Sequence, residues 1–274
     1  FIFKKILEYM KKNKSFEIIK YNKKLQNILN LNIDNYMEYS EKFTPIEINI
    51  ILFDNEYGEF INTLNKAQYF HIYFNDNKKE IKRDYIKEKD KVKNIKILLD
   101  YQITSLYQLF YKCKCIESIS FIKFNRKNIT NMCSMFWGCD NLKEINFSNF
   151  NTTNVTDMTF MFERCSSLRE LNLFNFYTNK VTDMAYMFNK CSLLVKLDLS
   201  NFNTINVINM SHMFYDCQIL EEIKISNFIT DNATNMNGMF HNCSSLVFNY
   251  DKLKNKNNCD LFMGYDDDNY LLLI

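Results

Sequence analysis

The chain has 274 residues, of which 47% are hydrophobic and 16% aromatic, enough to bury a substantial core and too apolar for a disordered chain. Lys and Arg number 34 against 32 Asp and Glu, and the net charge of +2 supplies no electrostatic funnel for nucleic acid or for a membrane surface. No apolar run approaches the roughly 20 residues of a membrane span, so no transmembrane segment is expected, and the opening FIFKKILEYM lacks a continuous signal-peptide core.

The chain begins on Phe1, so material upstream of it is allowed for. Residues 1–45 are expected to form a helical segment: Ile6, Leu7 and Met10, then Leu25, Ile28 and Leu29, recur at helical spacing. Residues 46–102 are expected to form a small α+β cap. Ile46 to Phe53 alternates like a strand just after Pro45, the only proline, and Tyr69–Phe74 and Ile95–Leu99 are further strand candidates. A short helix is expected between 54 and 67, and a lysine-rich solvated connector over 76–93. The cap reading is preferred to an independent domain on a linker, because 95–99 runs into the next region without a break.

From residue 103 a 26-residue period holds without an insertion. Phe110, Phe136, Phe162, Phe188, Phe214 and Phe240 form one column, and Cys113, Cys139, Cys165, Cys191, Cys217 and Cys243 another. Two columns of Met, entered by Leu106 and Leu109, accompany them. Within one unit Met158, Met161, Phe162 and Cys165 fall at i, i+3, i+4 and i+7, which predicts a short helix. The Asn131/Asp157/Asp183/Asn209/Asn235 column stands where an N-cap would. Leu171-Asn172-Leu173 predicts a short strand with one buried face. A helix of about two turns is marginal alone, so stacking is expected to bury the stripes and pair the strands into a parallel sheet. The last of six repeats, up to residue 258, is degenerate, with Asn249 and Asp251 at strand positions, and 259–274 is an acidic tail.

The stretch Leu168-x-x-Leu171-x-Leu173-x-x-Phe176 resembles the leucine-rich-repeat strand signature, with Phe where that pattern has Asn or Cys. The whole unit, Asn154-Val-Thr-Asp-Met158-x-x-Met161-Phe162-x-x-Cys165-Ser-Ser-Leu168, is similar to the BspA-type leucine-rich-repeat surface proteins over residues 103–246. The columns and the cap together predict an α/β solenoid with a short parallel sheet and one short helix per coil, capped at its N-terminal end, and the resemblance makes it leucine-rich-repeat-like. The resemblance further implies a secreted or cell-surface protein that binds other proteins, with no catalytic residues.

The chemistry-bearing residues give no rival pattern. The six-Cys column permits neighbouring disulfides by distance, but its place on the apolar stripe favours buried free thiols. Cys113-x-Cys115 with Cys133 and Cys139 does not match common zinc spacings, and no cofactor or metal site is expected. His212 and His241 read as surface decoration, and abundant Lys and Asn as a coding bias. Eight Asn-x-Ser/Thr sequons permit secretion.

The expected function is a non-catalytic protein-binding scaffold at the cell surface or outside the cell. The alternative is an intracellular adaptor or structural solenoid with reduced cysteines. The candidate partner face consists of the outward strand positions Glu144, Asn146, Glu170, Asn172, Phe174, Lys196, Asp198, Glu222 and Lys224. A second candidate lies on the opposite side, at Trp137, Phe160, Tyr186 and Tyr215.

Overall fold

A computed structural model describes residues 22–28, 44–63, 65–100, 102–124 and 126–247. Most of the expected N-terminal helical segment, the degenerate close of the last repeat and the acidic tail with Cys259 lie outside these residues. Regular structure among them is mainly strand, and helix is confined to α1 (Lys23–Ile28) and two three-residue 3-10 turns.

The three strands expected before the repeats are present as β1 (Ile46–Leu52), β3 (Phe70–Phe74) and β6 (Asn94–Leu99). The expected helix between 54 and 67 is absent; Gly58–Glu59 forms β2 there, paired antiparallel with β5 (Tyr85–Ile86). The supposed connector is structured as well. It contains β4 (Glu80–Ile81), β5 and a turn held by Arg83, whose guanidinium bonds Asp90 at 2.7 Å. These short pieces carry little apolar periodicity, which is why composition alone misread them.

The first repeat contributes β7 (Ile116–Lys123), and the second contributes β8 (Glu144–Asn146). One mixed sheet then runs β4-β3-β6-β1-β7-β8. β1 pairs antiparallel with both β6 and β7, and β7 pairs parallel with β8. Glu47 on β1 ties its two neighbours together, bonding Lys96 of β6 at 2.6 Å and Lys123 of β7 at 3.2 Å. Residues 46–99 and the first repeat therefore share one sheet. Further on, β9 (Lys196–Asp198) and β10 (Glu222–Lys224) form a separate parallel pair. Leu171-Asn172-Leu173, expected as a strand between them, keeps the expected facing (Leu171 and Leu173 buried, Asn172 exposed) but forms no strand ladder.

The expected helix in each repeat is not there. From Met132, alternate amides serve two different partners. Met135, Trp137 and Cys139 donate back to Met132, Ser134 and Phe136 within the unit, closing successive tight turns. Ser134, Phe136 and Gly138 instead donate sideways to Thr159, Met161 and Glu163 of the next unit. An α-helix needs every amide for its own i−4 carbonyl, so the sideways bonds exclude it. The backbone agrees: Ser134, Phe160, Tyr186 and His212 have φ of 54–58°, and Gly138, Arg164, Lys190 and Asp216 repeat positive φ four residues later. Two such turns place residues i, i+3, i+4 and i+7 inward just as a helix would, which is how the spacing misled.

The expected cap column does accept hydrogen bonds, but it opens turns. Asp157 Oδ1 takes the amide of Thr159 at 2.9 Å, and Asn131, Asp183, Asn209 and Asn235 take theirs likewise, two residues on. The backbone at these residues forms parallel bridges from unit to unit.

The core holds the predicted columns. Phe162, Cys165, Leu168 and Leu173 are buried, as are the Met columns, while Glu163 beside Phe162 is half-buried. The rings of Phe110, Phe136, Phe162, Phe188, Phe214 and Phe240 form one continuous stack, with centroids 5.1–5.6 Å apart. From Cys139 on, each column thiol lies over a carbonyl one unit back: Cys165 Sγ–H donates to Phe136 O at 3.2 Å and Cys191 to Phe162 O at 3.2 Å.

Two further columns join the units. Thr152, Thr178 and Thr204 are buried; each hydroxyl donates to the carbonyl of Tyr177, Asn203 or Ile229 and accepts the same residue's amide. Asn149, Asn175, Asn201 and Asn227 donate side-chain amides to carbonyls of the preceding unit. Asn abundance is thus in part a structural device, which the coding-bias reading missed.

Candidate functional site

The outward positions of the second to fifth units come together around an open concavity of about 1040 Å³. Of the residues singled out in the sequence, Glu144, Glu170, Asn172, Phe174, Lys196, Asp198, Glu222 and Lys224 line it. Asn146 does not; its Oδ1 accepts the amide of Ser148 and closes the turn after β8. Sequence reasoning overlooked Lys143, Arg169, Ser200 and Asn201, which also line it. The period could have found the first two, since both stand one position before an outward strand residue.

The electrostatics differ along this face. On β9 and β10, Lys196 pairs with Glu222 at 3.2 Å and Asp198 with Lys224 at 3.1 Å. The Ser200 hydroxyl and amide hold the Asp198 carboxyl below its usual range, with Lys224 adding to the effect. Lys143 is engaged by Glu117 at 2.7 Å. In the middle, Glu144 and Glu170 form no ion pair among the described residues. Phe174 is 78% exposed, the largest exposure of any described aromatic side chain. Ser148 and Ser200 occupy its position in the flanking units, so neither neighbour covers its ring faces.

On the opposite, turn-bearing side, the aromatics singled out in the sequence are not scattered. Tyr111 stacks on Trp137 at 4.8 Å, Phe160 on Tyr186 at 4.9 Å, Tyr186 on His212 at 4.7 Å and Tyr215 on His241 at 4.9 Å. Their faces are spent on one another, which suits a packing role better than ligand stacking. Burial, then the nearby His241 charge, pushes the His212 imidazole below its usual range. Among the described residues no three His, Cys, Asp or Glu side chains are grouped to hold a metal ion, and no helix is long and apolar enough to cross a membrane.

Residues 104–196 and 169–263 each match the family described as "Mycoplasma protein of unknown function, DUF285". No curated protein and no solved structure matches the chain.

Proposed function

We propose, from the premise that this chain belongs to the DUF285 family, that its 26-residue units form a leucine-rich-repeat-like solenoid whose concave face binds a partner protein without catalysing a reaction. Residues 46–99 act as its cap, closing the first coil through the shared sheet. The observation that carries the binding reading is the concavity itself. It gathers exposed polar and charged side chains from successive units around one uncovered aromatic ring. Charge arranged in this way steers and selects a partner, and an aromatic anchor supplies affinity. The resemblance to BspA-type proteins supports a surface-associated role. An intracellular adaptor is favoured by the core thiols, because their donation to backbone carbonyls would end on disulfide formation.

Charge reversal tests the reading. Partner proteins captured by the wild-type chain should be lost with Glu144→Lys, Glu170→Lys, Lys196→Glu and Lys224→Glu combined, and kept with Tyr186→Ala on the turn side. Capture that survives the groove variant and fails with Tyr186→Ala would move the interface to the other face.

A further inference from the structure

We propose that the third unit reads an extended partner segment carrying a Lys or Arg at one end and an apolar side chain four residues away. The inference rests on the binding reading above and supplies the chemistry of its partner. Glu170 and Asn172 are exposed on the stretch that ends at Leu173, and exposed Phe174 opens the turn closed by the Phe176 amide on the Leu173 carbonyl, so four residues of chain hold Glu170 and Phe174 within about 13 Å of each other. At one end the carboxylates Glu144 and Glu170, at the same position of adjacent units, form no ion pair among the described residues. Two adjacent like charges repel, and a partner's ammonium or guanidinium relieves both at once. At the other end Phe174, 78% exposed between Ser148 and Ser200, offers an open ring to an apolar side chain. Between them Asn172 spends its Oδ1 on the amide of Phe174, 3.0 Å away, which leaves its side-chain N–H groups for a partner carbonyl. Elsewhere on the face the charges are answered internally: Lys196 and Glu222, Asp198 and Lys224, and Lys143 with Glu117. Of the four bases on the lining, Lys143, Lys196 and Lys224 are paired with Glu117, Glu222 and Asp198, which leaves Arg169 to set against the two carboxylates Glu144 and Glu170.

The test is selection of a displayed random peptide library on the full chain, followed by titration of the enriched peptides. The expected sequences carry Lys or Arg and an apolar residue at the spacing of Glu170 and Phe174. Their affinity should fall about tenfold with Glu170→Gln and about tenfold with Phe174→Ser, the worth of one charged hydrogen bond or one buried ring. Phe174→Ser places the flanking units' own residue there, so folding is not at stake. Enrichment of acidic peptides, of peptides without this spacing, or of none would overturn the inference. Groove-dependent capture of a folded partner still decides the broader reading on its own, so the two failures are distinguishable.

Discussion

The thiol of Cys191 donates to the carbonyl oxygen of Phe162 at 3.2 Å, and that same oxygen accepts the amide of Cys165 at 3.0 Å. One carbonyl thus binds its own turn and the next unit together. The pattern repeats at Cys139, Cys165, Cys217 and Cys243. It gives a reason for cysteine in this column that size alone does not, since an alanine would leave the second lone pair empty.

These thiols should be slow to alkylate in the native protein. Cys133, outside the column and only half-buried, should react first with maleimide among the described cysteines, with the column labelled only on unfolding. Peptide mass spectrometry after timed labelling would show this. Rapid labelling of Cys165 and Cys191 would mean that the column is open to solvent.

Alkaline pH should destabilise the fold. Burial pushes the Cys115 and Cys243 thiols up to about 12 and drives Cys165 and Cys217 well above their usual range. An unfolded thiol ionises near ~8.5, so the folded state holds these protons more tightly. Their contribution is complete below ~8.5 and declines as pH rises toward 12, at up to about 1.4 kcal/mol per pH unit for each thiol. Urea midpoints measured from pH 7 to 10.5 should fall steadily above 8.5; a flat profile would remove the thiols from the core.

Phe188→Ala should cost about 3–5 kcal/mol, the range for emptying a packed aromatic site. The ring lies between Phe162 at 5.5 Å and Phe214 at 5.4 Å and is fully buried. Equilibrium denaturation is the measurement, and a loss under about 1 kcal/mol would contradict the stack.

Gly238→Ala should be harmful although glycine to alanine often stabilises. Gly238 has φ +58°, and a Cβ there would stand 3.1 Å from Cδ2 of His212, whose ring is stacked on Tyr186. A loss of about 1–2 kcal/mol follows from the left-handed backbone and the blocked ring. Thermal unfolding of the variant at or above the wild-type midpoint would contradict the turn geometry.

How much of this was legible depended on whether a residue's job lay within its unit or between units. Met158, Met161, Phe162 and Cys165 announced the buried side of each repeat, and the alternation at Leu171-Asn172-Leu173 announced which side chains face out. The conformation behind the first pattern was hidden, because hydrophobic spacing does not record where an amide donates. A clue was available: Gly138 and Gly238, two of only four glycines, fall in the two columns where the backbone is left-handed. The hydrogen-bonding columns of Thr178 and Asn201 were missed because polar residues in repeated turns look like solvent-facing filler until the next unit is placed beside them. Eight of the groove residues were found through facing, whereas Lys143, Arg169, Ser200 and Asn201 were not, and the unanswered charge of Glu144 and Glu170 emerged only when their neighbours' pairings were seen.

The central claim, that the outward strand face meets a partner, is tested most directly by a photo-crosslinking residue placed at Ser200 in the concavity and, separately, at exposed Asn179 outside its lining. The account predicts a discrete protein adduct from position 200 that excess unlabelled chain suppresses, and none from position 179. Equal adducts from both positions, or adducts from 179 alone, would contradict it.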